Sequence, residues 1–116
     1  MNIIFERITY DNLELACKIQ NTIFPEEDGR QNFIEQINKD PYRKEQDYSI
    51  VYVDNEPIGV TGIYSYHEYP ESAWLGWFGI LEKYRHYFDI DPDYFPAVNE
   101  ALINSKPDLW KKFFPH

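Results

Sequence analysis

The stretch Tyr48-Ser-Ile-Val-Tyr-Val-Asp-Asn-Glu-Pro-Ile-Gly59, continuing Val60-Thr-Gly-Ile-Tyr-Ser-Tyr66, decides the fold class. Tyr48 to Val53 is dense in β-branched and aromatic residues and predicts a strand. Asp54-Asn55-Glu56-Pro57 is a turn signal, and Ile58 to Tyr66 is a second strand, so the two make a hairpin. Glu68 to Ser72, broken by Pro70, is another turn. Ala73 to Leu81 then predicts a third strand, so nearly apolar throughout that it reads as a central strand buried on both faces.

Outward from this core, Ile3 to Ile8 alternates as a short strand. Asp11 with Glu14 three residues on has the pattern of a capping box, opening a first helix. Leu13, Ala16, Cys17 and Phe24 lie along one side of it, Leu15, Ile19 and Ile23 widen that apolar face, and Pro25 stops it. An acidic turn, Glu26 to Gly29, leads to a second helix from about Arg30 to Lys39, with Phe33, Ile34 and Ile37 at helical spacing. Asp40-Pro41 ends it, and Arg43 to Asp47 reads as a charged connector. The order is therefore β-α-α-β-β-β, an α+β domain. Beyond Arg85 the character changes: Asp89-Ile90-Asp91-Pro92-Asp93 is acidic and proline-broken, Phe95 to Asn104 predicts a helix, and Pro107 opens a last short helix carrying Leu109, Trp110, Phe113 and Phe114.

Composition narrows the function. The 116 residues fit one domain, and with 43% hydrophobic and 18% aromatic residues the chain can bury a core. A net charge of −9 argues against nucleic acid or an anionic membrane surface as the main partner. It fits a cationic or amine substrate only weakly; the plainer reading is an acidic balance that keeps a soluble protein soluble. Cys17 is the only cysteine, so no intrachain disulfide or thiolate zinc cluster forms; inside an amphipathic run it reads as a small core residue. No apolar run approaches a membrane span, and no basic stretch followed by a long apolar one marks a signal peptide, so a cytoplasmic location is expected.

Two segments carry a family resemblance. Tyr48 to Gly59 resembles the second strand, turn and third strand of the GNAT acyl-CoA N-acyltransferases, with an "x-I-G" entry to the third. Trp74-Leu-Gly-Trp-Phe-Gly-Ile-Leu-Glu-Lys-Tyr-Arg85 resembles the family's fourth strand, which runs through an aliphatic pair and a short turn to "Y-R". The resemblance covers roughly residues 1 to 85 and implies a truncated GNAT-like sheet with helices packed on it, followed over 86–116 by a short helical tail. By that resemblance Phe78, Gly79, Ile80 and Leu81 would pair their backbone with the pantetheine arm of acetyl-CoA, and Tyr84 and Arg85 would open the cofactor motif. A backbone N–H near Ile80 would polarise the thioester carbonyl. The alternative for these residues is an ordinary core strand. Tyr64, Tyr66 and His67, near the hairpin end, would line a pocket for a small amine acceptor; the alternative is surface aromatics on alternating strand positions.

After Arg85 the resemblance stops. The family continues "x-x-G-x-G" or "x-x-G-x-A", placing successive amides around a pyrophosphate at a helix N-terminus. Here the sequence runs His86-Tyr-Phe-Asp-Ile90, with no glycine after Gly79. Tyr87 and Tyr94 match no recognisable motif, no carboxylate stands on the fourth strand, and catalytic residues are not assignable. His67-Glu68-x-x-Glu71 spans a proline turn, where helical spacing fails, so no metal is expected. Two readings follow: an incomplete acetyl-CoA-dependent N-acyltransferase, or a non-catalytic GNAT-like binding or dimerisation module using an open sheet edge.

Overall fold

A computed structural model describes residues 2–39, 41–85 and 93–113, without the side chains of 75–78, 94–95 and 112–113. Its centre is the expected hairpin. Strands β2 (Arg43–Val53) and β3 (Glu56–Tyr66) pair antiparallel around a two-residue turn. Asp54 and Asn55 both take positive φ, 50° and 70°, the pairing that a type I′ turn requires. Asn and Asp tolerate that region better than most residues, and this is why Asp54-Asn55 sets the register. Asp54 Oδ1 and N also hold the backbone of Asn2, fixing the start of β1 (Ile3–Arg7) beside β2.

The hairpin is longer than its apolar part. Arg43 to Asp47 is strand rather than connector, paired with Tyr66 to Ile63 across a bulge near Lys44. Its charged alternation hid it: one set of side chains faces the rim of the sheet, where burial does not demand apolar residues. The fourth strand, β4 (Trp74–Ile80), pairs with β3 and completes an antiparallel sheet of order β1-β2-β3-β4. β4 is thus an edge strand among the described residues, not the central one its composition predicted. An apolar run reports burial of its two faces and says nothing of its hydrogen-bonding edges.

Helices cover both faces. On one lie α1 (Leu13–Ile23) and α2 (Gly29–Ile37), whose Leu13, Ala16, Cys17, Ile19 and Phe33 pack with Tyr48, Ile50 and Val60. On the other lie α4 (Tyr94–Ser105) and α5 (Pro107–Phe113), after a single helical turn, α3, over 82–85. There Val98 packs with Val51, Val53, Ile58 and Ile80, while Leu102, Leu109 and Trp110 pack on Ile63. The two faces use alternate residues of β2, the period-two pattern of a strand covered on both sides, while in β3 the register shift opposite Val51 and Tyr52 sends Ile58 and Val60 to different faces. The helices after residue 93 therefore belong to the same domain as the sheet. The chain is α+β, with a four-stranded antiparallel sheet between helical layers. Among the described residues no helix is long and apolar enough to cross a membrane.

The first helix begins one residue later than its capping pattern suggests. Asn12, not Asp11, occupies the N-cap, and its side chain serves the preceding loop: Oδ1 accepts from Thr9 N at 2.8 Å, and Nδ2 donates to Arg7 O and Glu6 Oε1. Glu14 is turned to Arg30, whose guanidinium grips it through both oxygens at 2.8 and 2.9 Å and draws its carboxyl below the ordinary value, tying α1 to α2. Phe24 is the C-cap rather than a helical residue. Cys17 is buried, and burial pushes its thiol up, the state of an inert core cysteine.

Candidate functional site

The antiparallel ladder determines what the β4 edge offers. Leu81 N donates to Ile58 O at 2.7 Å, and the register continues Gly59↔Ile80, Val60↔Gly79 and Thr61↔Phe78. Antiparallel pairs alternate between bonded and non-bonded. Gly79 therefore spends its backbone groups on β3, while those of Phe78 and Ile80 point to the outer edge. Among the described residues no strand pairs there. One outward group is engaged: Arg85 folds back so that its Nε donates to Ile80 O at 2.9 Å. At the start of the strand the register slips between Gly62 and Ile63, leaving Gly76 as an extra residue that bends β4.

Beside the C-terminal end of β4 lies a cleft of about 830 Å³. One wall is a stripe of α1, Leu15, Lys18, Ile19 and Thr22, which recur at i, i+3, i+4 and i+7 and so share one side of the helix. The other wall comes from the hairpin turn and α3: Glu56, Pro57, Leu81, Glu82, Lys83 and Tyr84. Tyr84 donates its hydroxyl to Glu56, a hydrogen bond that with some burial raises the phenol above its ordinary value. Lys83 lies 4.9 Å from the Tyr84 ring. Among the described residues the charged lining is two ammoniums against two carboxylates.

Of the residues the resemblance assigned to acetyl-CoA, Leu81 and Tyr84 reach this cleft. The Ile80 side chain is core, packed with Val51, Val53, Ile58 and Val98, so only its backbone faces the edge. Gly79 lies under the end of α1, where a Cβ would come within 2.8 Å of Ile23 Cγ2 and 2.9 Å of the Phe24 ring. Phe78 contributes an outward backbone; its side chain, the segment His86 to Ile90 and Tyr87 lie outside the described residues. Leu15 was expected on the buried face of α1; 36% exposed, it lines the cleft instead. Lys18 and Thr22 could have been found by continuing that stripe.

The expected acceptor residues divide. Tyr64 and Tyr66 meet at 5.5 Å between ring centroids, and Trp74 joins both, stacked on Tyr64 at 6.3 Å and edge-on to Tyr66 at 5.3 Å. His67 is not part of this cluster: it follows the last residue of β3 and lines a different cleft. A residue missed by sequence reasoning sits at the centre of the aromatics. The Arg43 guanidinium lies 4.1 Å from the Tyr64 centroid and donates to the Tyr48 hydroxyl at 3.2 Å. Burial and the neighbouring Tyr66 and Tyr48 hydroxyls raise the Tyr64 phenol above its ordinary value. The lining is thus cationic, not acidic. Arg43 was obscured by its place in an apparent connector.

Among the described residues no group of three His, Cys, Asp or Glu side chains could hold a metal ion. Compared with protein-family models and with curated proteins, the sequence finds a match in neither.

Proposed function

We propose that this chain is a GNAT-type domain, incomplete at its cofactor loop, that takes acetyl-CoA as co-substrate and passes its acetyl group to an amine. The observation that carries the proposal is the open β4 edge. The outward N–H groups of Phe78 and Ile80, with which no strand pairs among the described residues, lead to a cleft by Leu81 and Tyr84 that is large enough for a pantetheine arm. In the proposed reaction the amine nitrogen attacks the thioester carbon, an outward N–H steadies the oxyanion, the C–S bond breaks, and the departing thiolate takes up the proton that the nitrogen releases. Such an edge supplies binding and carbonyl polarisation. The described residues supply no assigned base, and the amine does not belong on the Tyr64 face that Arg43 already covers.

A second reading, a non-catalytic module that pairs through the same edge with a copy of itself, is favoured by Glu56 and Glu82, which place carboxylates in the cleft a diphosphate would approach. Calorimetric titration with acetyl-CoA separates the two. Micromolar binding supports the co-substrate reading, and no binding at millimolar cofactor overturns it. Sizing in dilute solution tests the module: a dimer supports edge pairing, and a monomer alone counts against it.

A further inference from the structure

At the opposite end of the sheet from β4's C-terminus, a second cleft of about 410 Å³ is lined by Arg7, Lys39, Arg43, Lys44 and Lys106, together with His67 and the glutamines 36 and 46. Five of the eleven Lys and Arg residues of a chain with net charge −9 converge on this one place, where among the described residues one carboxylate, Glu45, lines the cleft. Arg7 also pairs with Asp47 at 3.2 Å, which orients its guanidinium without cancelling the surplus. Composition makes such convergence unexpected, and self-repulsion makes it costly in the free protein.

One lining residue is also incompletely satisfied. Gln46 is 8% exposed, and its Nε2 has no hydrogen-bond partner among the described residues. A buried amide donor left without a partner is expensive, and a strand position facing the helices would ordinarily hold an apolar side chain. Gln46 belongs to the lining of the cleft that the five basic residues share. Arg43 is anchored nearby by the Tyr64 ring and the Tyr48 hydroxyl, so its guanidinium is held in place before any ligand arrives.

We infer that this cleft is a binding site for a small phosphate-bearing anion. Its volume is at the small end of ligand pockets, and its cations form a concave cluster rather than a stripe, which suits a small molecule better than a nucleic acid. Guanidinium and ammonium groups from separate elements match the several oxygens of a phosphate. The site is distinct from the proposed acetyl-CoA edge: β4 is seven residues long, so its two ends are about 20 Å apart.

The test is titration of the full chain with inorganic phosphate and pyrophosphate at low ionic strength, followed by amide chemical shifts and calorimetry. Expected are shifts confined to the neighbourhoods of 36–39, 43–46 and 106, and at least tenfold weaker binding for a Lys44→Glu/Lys106→Glu chain of unchanged circular dichroism. Gln46→Leu gives the sharper reading. It should weaken phosphate binding while leaving Tm equal or higher, since it removes an unpartnered buried donor; a merely structural glutamine would lower Tm. No binding of either anion at millimolar concentration, or binding that both variants leave intact, overturns the inference. Acetyl-CoA also carries phosphates, so its titration is repeated on Lys44→Glu/Lys106→Glu. Undiminished acetyl-CoA binding keeps the two sites separate, whereas its loss removes the β4 reading and leaves the anion site standing.

Discussion

Replacing Gln36 should cost more than replacing any other polar side chain of α2. β1 ends its ladder at Arg7, and the next bond, Ile8 N to Tyr48 O at 2.9 Å, leaves the Tyr48 amide facing a strand that has turned away. Gln36, 3% exposed, supplies what is missing. Its Oε1 accepts from Tyr48 N, and its Nε2 donates to Ile8 O at 3.1 Å and Tyr48 O at 3.0 Å. One side-chain amide thus stands in for a residue of the departed strand. In Gln36→Leu, Tyr48 O keeps Ile8 N, but Tyr48 N and Ile8 O lose their bonds to this amide. Each buried orphan costs about 1–3 kcal/mol, so the loss is about 2–6 kcal/mol, a large part of the ~5–15 kcal/mol of a typical domain. At about 4 °C per kcal/mol for a chain of this size, Tm falls by roughly 10 °C or more. Urea unfolding should show a lower midpoint with an unchanged slope.

Gln36→Glu refines the test. A carboxylate keeps the acceptor for Tyr48 N but turns negative charge on the carbonyls of Ile8 and Tyr48, raising its folded pKa above the ordinary ~4.3. The folded state then holds a proton that the unfolded state has released. The deficit relative to the parent should be smallest below about pH 4.3 and grow as pH rises through the raised value. A Gln36→Leu chain within about 1 kcal/mol of the parent would refute the strand-substitute account.

Further outcomes follow from the packing. Trp110→Ala should destabilise by about 3–5 kcal/mol, because Trp110 is 1% exposed against Ile63 and Leu102; unfolding that stays a single transition would show the C-terminal helices sharing the sheet's cooperativity, and an unaltered midpoint would contradict the packing. Gly62→Val should cost about 1–3 kcal/mol or more, since a Cβ at 62 would overlap the Tyr48 ring, and the near-ultraviolet dichroism of the displaced tyrosine is the readout. The Glu14–Arg30 tie is present above the ordinary carboxyl value of 4.5 and lost as pH falls through the lowered one; Glu14→Gln should therefore differ from the parent at neutral pH and converge with it in acid, measured by urea midpoints.

What could be read in advance depended on whether burial or local geometry controlled each residue. The hairpin was legible because Asp54-Asn55 and its flanking apolar strands agree on one register. The helices on both faces were legible from Leu13, Ala16, Cys17 and Phe33, and from Val98 and Leu102. The first half of β2 was not, because Arg43 to Asp47 is strand by pairing with β3 rather than by its own propensity. The edge position of β4 was hidden because sequence reports faces. His67 was grouped with Tyr64 and Tyr66 by proximity in the chain, yet the end of β3 and the turn after it carry it to another cleft.

Net charge is a poor guide to the charge at any one place on the surface. A chain at −9 suggested a cationic ligand, and the clustered tyrosines suggested an amine beside them. Both inferences treat charge as a property of the whole surface. Arg7, Lys39, Arg43, Lys44 and Lys106 come from the end of β1, the residues after α2, the start of β2 and the link between α4 and α5. Arg7 and Lys106 lie far along the chain from Lys39, Arg43 and Lys44, but the sheet brings all five to one end. A ligand at contact distance responds to these neighbours far more than to carboxylates a Debye length away, about 8–10 Å at ordinary ionic strength. The aromatic faces of Tyr64 and Trp74 attract cations in principle. Here the first cation to reach Tyr64 is the protein's own Arg43, so Tyr64 and Tyr48 help to hold a positive centre at this end of the sheet.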